Sequence, residues 1–176
     1  MRKKFVEYAL DDVDFYDMRQ LLLFDEKGIE ELKPANVRYL IIHCTATRCT
    51  ADYTPQDLIR DHEARGWKAV GYHFYIRKNG VILQFRRTDE IGAHCRNHNW
   101  QSIGIAYEGG LDEEGDPADT LTTYQIESMR VLIAALVRDF PNVVVRGHRD
   151  FNPQKACPCF DARDYFRKCT NEPAFV

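Results

Sequence analysis

The chain has 176 residues, of which 44% are hydrophobic and 29% charged, and its formal net charge is −3. This length is typical of one domain, and the composition is that of a soluble globular protein with enough apolar residues for a core. A slightly acidic chain has no overall positive field to attract phosphates, so no nucleic-acid partner is expected. No uninterrupted apolar run approaches 18 residues, which argues against membrane insertion.

The N-terminus begins with a basic cluster, but acidic residues interrupt the place where the apolar part of a secretory signal would stand. We therefore expect cytoplasmic synthesis without a signal peptide. Residues 1–36 show no clear pattern and are interpreted as an N-terminal extension packed on the core of the main domain, residues 37–176. Within this extension, “MRQLLLF” (residues 18–24) is compatible with a short helix or a buried strand.

Strand and helix patterns alternate after the extension. The β-branched run “VRYLIIH” predicts a strand that ends at His43. The stretch “YTPQDLIRDHEARG” predicts a helix with Thr54 as its N-cap and Pro55 at its first position, and Gly66 ends this helix. Two strand-like runs follow on either side of Asn79-Gly80, a dipeptide favoured in type I′ turns, and these predict a β-hairpin.

The second half of the chain continues the alternation. “SIGIAYEGG” predicts another buried strand. Residues 122–139 carry apolar side chains at helical spacing on one face, and Thr122 with Gln125 forms a capping box at the start. “VVVRGH” predicts a last strand ending at His148, and “DARDYFRKC” predicts a closing helix. Together, these elements predict a single α/β domain with a central mixed β-sheet flanked by helices.

Six cysteines, an even number, are compatible with a disulfide framework. No feature of the chain indicates secretion, however, and cytosolic thiols stay reduced, so we favour free thiols. Cys157 and Cys159 are separated by one residue, which is closer than the C-x₂-C spacing of zinc fingers, and no second pair follows at zinc-ribbon distance. Any metal site is therefore expected to combine cysteine with other ligands.

Two histidines end predicted buried strands, His43 and His148. Strand ends in a helix-covered sheet open into a crevice where ligand sites tend to lie. Cys157, on the loop after the second histidine, adds a thiol, and zinc accepts such a set of two nitrogens and one sulfur with a fourth position for water. For either histidine alone, the alternative is a hydrogen-bonded core residue, and Cys159 is the alternative sulfur ligand.

Four blocks of the sequence occur in one known family in the same order and at similar spacing: “LIIHCTAT”, “GYHFYIRKNG”, “IGAHCRNHNWQSIGI” and “RGHRDFNPQKACPCF”. From about Val37 to Phe166, the chain resembles the zinc-dependent N-acetylmuramoyl-L-alanine amidases of the bacteriophage-lysozyme and peptidoglycan-recognition-protein superfamily. The resemblance implies one zinc ion per chain, held by His43, His148 and Cys157. It also implies peptidoglycan or muramyl peptides as substrate, cut between N-acetylmuramic acid and L-alanine.

The same resemblance implies roles for five further side chains. Tyr72 and Lys155 correspond to the catalytic side chains, with Tyr72 assisting water or proton transfer and Lys155 reaching the oxyanion. A hairpin aromatic and a solvated loop lysine are the alternatives. Asn99 and Trp100 are expected at the edge of the substrate groove, where an exposed tryptophan could stack on a sugar or a stem peptide. His94 is expected at this groove or in a hydrogen bond to the scissile region. A plain loop histidine and a core tryptophan are the alternatives here.

Two other functions are compatible with the sequence. A non-catalytic recognition module would bind peptidoglycan without cutting it, but recognition proteins that have lost catalysis typically lack the cysteine ligand that Cys157 provides. A regulatory role would need a protein partner for residues 1–36, and deletion of this segment would then abolish partner binding while hydrolysis survived. Without a signal peptide, the chain suits an endolysin released through a holin and equally a cytoplasmic recycling enzyme. The recycling branch has aspartate as its third ligand, so the cysteine favours the endolysin.

Overall fold

The computed structural model of the protein describes residues 13–20 and 29–173. In these ranges, three helices accompany eight short strands. The helices are α1 (Pro55–Ala64), α2 (Thr123–Asp139) and α3 (Ala162–Phe166). The strands are β1 (Phe15–Asp17), β2 (Tyr39–Cys44), β3 (Thr47–Arg48), β4 (Phe74–Ile76), β5 (Ile82–Gln84), β6 (Ser102–Tyr107), β7 (Gly110–Leu111) and β8 (Val144–Gly147). Six of the strands form one mixed sheet in the order β1-β5-β4-β6-β2-β8. The predicted α/β class is confirmed.

Strand β2 lies between β6 and β8 and is parallel to both. In this register Ile42 pairs with Gly147. His43 and His148, which each come one residue later, therefore emerge at the same edge of the sheet. The prediction that these two strands deliver their histidines to one edge is confirmed, and the reason is their parallel pairing as direct neighbours.

The two faces of the sheet contact different helices. Ile42 packs with Leu136 of α2 in the larger apolar cluster. On the other face, Tyr75 packs with Leu58 of α1 in a smaller cluster. Because side chains alternate along a strand, His43 points to the α1 face, opposite its neighbour Ile42.

Both predicted helix starts are confirmed with their caps. The Thr54 hydroxyl accepts a hydrogen bond from the N–H of Asp57, and the Asp57 carboxylate accepts one from the Thr54 N–H, so α1 begins with a full capping box. Thr122 and Gln125 form the same reciprocal pair at the start of α2. These contacts satisfy backbone N–H groups that have no partner within the first turn of a helix.

The predicted hairpin is confirmed as β4 and β5, which pair antiparallel, but the predicted type I′ turn is wrong. A type I′ turn needs positive φ at both central residues, and of Asn79 and Gly80 only Gly80 has it, at 87°. The N–H of Gly80 donates to the carbonyl of Arg77 at 2.9 Å, and the Arg77 N–H donates to the carbonyl of Val81 at 2.9 Å. This is the longer loop in which glycine occupies the left-handed position after a type I turn.

The described part of the N-terminal segment packs on the sheet. Strand β1 adds to the edge by pairing parallel with β5. Met18 packs in the smaller apolar cluster, and Leu32 is fully buried in the larger one. Of “MRQLLLF”, Met18–Gln20 forms a 3-10 turn, and residues 21–24 lie outside the described ranges. The domain boundary after residue 36 stays a prediction. None of the described helices is both long and apolar enough to cross a membrane.

Candidate metal centre

Three predicted ligands converge at the edge of the sheet where β2 and β8 end. One donor atom each from His43, His148 and Cys157 lies within 4.8 Å of the others. The imidazole rings of the two histidines are 4.6 Å apart between centroids. The sulfur of Cys157 lies 3.8 Å from Nδ1 of His43, so it is this ring nitrogen that faces the thiol.

The surroundings favour the protonation states in which these side chains bind metals. Burial, and then the neighbouring His148, lowers the pKa of His43 well below its usual value, so its imidazole is neutral at neutral pH. Hydrogen bonding to the Cys44 side chain, opposed by burial, lowers the pKa of Cys157, and the Cys44 backbone adds to this effect. The Cys44 N–H donates to the Cys157 sulfur at 3.2 Å. A neutral imidazole and a thiolate are the forms that coordinate metal ions.

His94 lies behind the cluster, against the His43 ring. Its Nδ1 is 3.0 Å from Nε2 of His43, and its Nε2 is 3.4 Å from the Ser102 hydroxyl. The residue is 8% exposed, and its role in substrate binding stays a prediction. Burial and the neighbouring His43 lower the pKa of His94 well below its usual value, and the ring is therefore neutral.

Tyr72 lies beside the cluster, as expected for a residue acting at the same site. Its ring centroid is 5.2 Å from that of His43 and 5.4 Å from that of His62 on α1. The residue is half-buried. Burial, and then the nearby Cys157, raises the pKa of Tyr72, so its phenol keeps its proton and can act as a hydrogen-bond donor at neutral pH.

Lys155 is exposed on the loop that carries Cys157. Its backbone N–H donates to the carbonyl of Asn152 at 2.9 Å, which tightens the turn leading to the ligand. Its positive charge contributes to the lowered pKa of the Cys157 thiol, after the larger effects of Cys44. Lys155 thus lies close enough to the cluster to interact with it electrostatically.

Asn99 and Trp100 are not brought to the cluster. Both precede the first residue of β6, and β6 begins opposite Tyr39, at the amino end of β2. His43 pairs four residues further along β6, roughly 13 Å away at the rise of a strand. The Asn99 side chain accepts hydrogen bonds from the N–H groups of His94 and Cys95 at 2.9 and 2.8 Å. Trp100 is 50% exposed, so the core alternative is wrong, and stacking on substrate stays a prediction.

Two supporting contacts at the cluster were not predicted. The Cys44 side chain lies on the α2 face of the sheet, opposite His43, yet it is near enough to the Cys157 sulfur to lower the pKa of that thiol, and the Cys44 backbone N–H donates to the same sulfur. The Cys44 sulfur lies 3.8 Å from that of Cys159, so the rival ligand contacts Cys44. The other unpredicted contact is that of Ser102 with His94. Neither contact could be predicted from the sequence. Every residue except proline has a backbone N–H, so this donor does not depend on the residue type at position 44, and a serine at the start of a strand is common.

A mixed sheet with an open set of three ligands at its edge is typical of metal-dependent hydrolases. Residues 33–160 match the Amidase_2 family, described as N-acetylmuramoyl-L-alanine amidase, and the chain belongs to this family. Membership of this family, whose described activity is that of an N-acetylmuramoyl-L-alanine amidase, shows that the protein is a peptidoglycan amidase.

The chain is similar to several phage endolysins and solved amidases. It is 33% identical over 140 residues to the endolysin of Klebsiella phage KP32, covering 80% of this chain and 92% of that protein. Identity to the endolysin of Escherichia phage T7 is 33% over 129 residues, with coverages of 73% and 85%. The endolysin and N-acetylmuramoyl-L-alanine amidase LysCS of Clostridium intestinale superposes with a TM-score of 0.67 at 28% identity, covering 84% and 88%. Bumblebee PGRP-SA shares the fold, with a TM-score of 0.70 at 21% identity and coverages of 86% and 92%.

Proposed function

We propose that the protein is a zinc-dependent endolysin-type amidase that cuts peptidoglycan between N-acetylmuramic acid and L-alanine. His43, His148 and Cys157 hold one zinc ion, and Tyr72 and Lys155 act on the reacting amide. The observation that carries this proposal is the convergence of two imidazole nitrogens and one sulfur within 4.8 Å, in a chain of the amidase family.

The donor set fits zinc in chemistry and in spacing. Zinc bonds of about 2.1 Å to nitrogen and about 2.3 Å to sulfur at a tetrahedral angle put the two donors about 3.6 Å apart. The observed separation between Nδ1 of His43 and the Cys157 sulfur is 3.8 Å. When bound, zinc would supply Lewis-acid polarisation of the carbonyl and would lower the pKa of a coordinated water toward neutrality.

The two catalytic side chains supply complementary chemistry. The Tyr72 phenol stays protonated and lies against His43, so it can donate a hydrogen bond to the attacking water or the reacting amide and assist proton transfer. Lys155 carries a positive charge on the flexible stem of an exposed side chain, and it stabilises the negative charge that develops on the amide oxygen.

A lytic role is supported by the relatives and by the third ligand. The Klebsiella and Escherichia phage proteins are endolysins, and the sulfur of Cys157 stands where the resemblance places aspartate in the recycling branch. The role we propose is therefore degradation of the cell wall after cytoplasmic synthesis and holin-type release. The recognition-module alternative lacks a comparable observation, because it does not explain a complete ligand set with Tyr72 beside it.

The experiment measures zinc per chain and cleavage of a muramyl peptide, read as new L-alanine amino groups. Wild type is expected to hold about one zinc and to cut. Cys157→Ala is expected to lose both, since two imidazoles are a weak zinc site. Cys159→Ala is the matched control on the same loop and is expected to retain both. Tyr72→Phe and Lys155→Ala are expected to keep zinc while losing activity.

Three outcomes would contradict the proposal in different ways. Zinc with retained substrate binding but no cleavage by wild type would establish the recognition module. Full zinc content in Cys157→Ala and its loss in Cys159→Ala would reverse the ligand assignment. Unchanged activity in Tyr72→Phe would remove this phenol from the mechanism.

A further inference from the structure

A chain of hydrogen bonds leads from the cluster into the protein. It starts at Nε2 of His43, the ring nitrogen turned away from Cys157, which is 3.0 Å from Nδ1 of His94. The other nitrogen of His94 lies 3.4 Å from the Ser102 hydroxyl. That hydroxyl donates to the backbone carbonyl of His98 at 2.8 Å. Ser102 is fully buried, so no bulk water competes for these partners.

The last partner fixes the direction of every bond in this chain. A carbonyl oxygen can only accept a hydrogen bond, so Ser102 must donate its single hydroxyl proton to the His98 carbonyl. Ser102 must then accept from His94, which therefore carries its proton on Nε2. Since a neutral imidazole has only one N–H, Nδ1 of His94 is an acceptor and Nε2 of His43 is the donor.

The consequence for His43 is a single tautomer. With its proton on Nε2, the lone pair of the ring is on Nδ1, the atom 3.8 Å from the Cys157 sulfur. The opposite tautomer would present an N–H to the position that a metal ion occupies. A chain that ended on a second hydroxyl or a water could run in either direction, whereas one that ends on a carbonyl cannot.

Packing holds the His94 ring in the orientation that this chain needs. A Cβ added to Gly104 would lie 2.5 Å from the ring, and one added to Gly92 would lie 2.6 Å from it. The ring therefore rests against bare backbone on two sides. The Asn99 side chain accepts from the His94 N–H at 2.9 Å and fixes the backbone that carries the ring.

We propose that His94 and Ser102 are positioning residues, which set the tautomer of His43 and leave its Nδ1 free to bind the metal ion. Both lie outside the three-ligand cluster and act on it through His43. This inference rests on the proposed zinc site, but the tautomer of His43 is a property of the protein alone and is measurable without metal.

The experiment compares Ser102→Ala and His94→Leu with wild type in two measurements. The first is the zinc dissociation constant by competition with a chelator, expected to rise about 10- to 100-fold in both variants, the usual effect of losing the partner of a ligating histidine. The second is the tautomer of His43 in the zinc-free protein, from long-range ¹H–¹⁵N NMR. Wild type is expected to show the proton on Nε2, and Ser102→Ala to show a mixture with the Nδ1–H form.

Two further variants separate positioning from general loss of structure. His94→Asn places an amide oxygen near the position of Nδ1 and is expected to bind zinc more tightly than His94→Leu. Ser128→Ala is the matched control, because that buried serine also donates to a backbone carbonyl, of Gly80 at 2.6 Å, but on α2. It is expected to leave zinc affinity and the His43 tautomer unchanged.

The outcomes distinguish this inference from the proposed function. A wild-type protein that binds no zinc refutes the zinc site, and the NMR measurement then still decides the tautomer. Wild-type zinc affinity and an unchanged His43 tautomer in folded Ser102→Ala would overturn the role of Ser102. An Nδ1–H tautomer in wild type would overturn the whole chain of donors.

Discussion

Acidification is expected to destabilise the protein through His62, a buried histidine on α1. This residue is 3% exposed, and its Nδ1 accepts a hydrogen bond from the Gly71 N–H at 3.1 Å. Its ring lies against Trp67 and Tyr72, with centroids 4.7 and 5.4 Å away. Burial, aided by the charge of Arg65, lowers the pKa of His62 to about 4 from an ordinary value of 6.5.

The sign and size of the effect follow from proton linkage. Between pH 6.5 and about 4, the unfolded chain has His62 protonated while the folded protein does not, so the free energy of unfolding falls as the pH falls through this window. Between pH 7 and pH 5 the loss from this group amounts to about 2 kcal/mol. Above pH 7 the contribution is constant.

The perturbation is His62→Asn, which keeps an acceptor near the position of Nδ1 and does not titrate. Urea unfolding is measured at pH 7 and pH 5 with a chelator present, so that metal binding does not contribute. The other histidines are common to both proteins and cancel in the comparison. Wild type is expected to lose about 2 kcal/mol more than the variant between the two pH values. Equal losses would show that His62 is charged in the folded protein, which would refute the reasoning.

Three further substitutions, one of them with a control variant, test a helix cap, a buried ion pair and the core by chemical denaturation. Thr122→Ala removes the capping box of α2 and is expected to cost about 1 kcal/mol; no loss would mean that solvent replaces the cap. Glu108→Ala removes the buried acceptor that Arg77 contacts at 2.8 Å and is expected to cost about 3 kcal/mol or more. Asp52→Ala, a partner of the same arginine that is 76% exposed, is its control and should change stability by less than about 0.5 kcal/mol. Leu136→Ala, at a fully buried position of α2, is expected to cost about 2–5 kcal/mol, and a value below 1 kcal/mol would mean that the core collapses around the cavity.

Several parts of the fold could be predicted because their causes lie within a few residues. Thr54 and Thr122 satisfy N–H groups three residues away, so the spacing alone identifies the helix starts. The apolar face of α2 follows from its own periodicity. The hairpin turn shows the limit of such local prediction. The dipeptide Asn79-Gly80 is compatible with two loops, and the pairing of Arg77 with Val81 selects the longer one.

The candidate ligand set was predictable from the sequence for a different reason. His43 and His148 end buried strands, where ligand sites tend to lie, and the motifs around them and around Cys157 resemble one family. Their convergence depends on β2 and β8 being parallel neighbours, although about 100 residues separate them in the chain. Which other residues lie near the candidate ligands depends on how β6 is aligned with β2. His94 and Trp100 are six residues apart in one block, yet the first reaches the back of His43 while the second lies at the opposite end of β6.

The sequence by itself thus determined the elements, their caps and the chemistry of the candidate ligands, since each depends on local backbone geometry or on residue identity. Only the tertiary structure decided which ring nitrogen of His43 faces Cys157 and which one faces His94. It also decided that the buried Ser102 hydroxyl donates its hydrogen bond to the backbone carbonyl of His98. The direction of a hydrogen bond depends on which donor and acceptor atoms meet in the folded protein, and the spacing of residues along the chain does not reveal this.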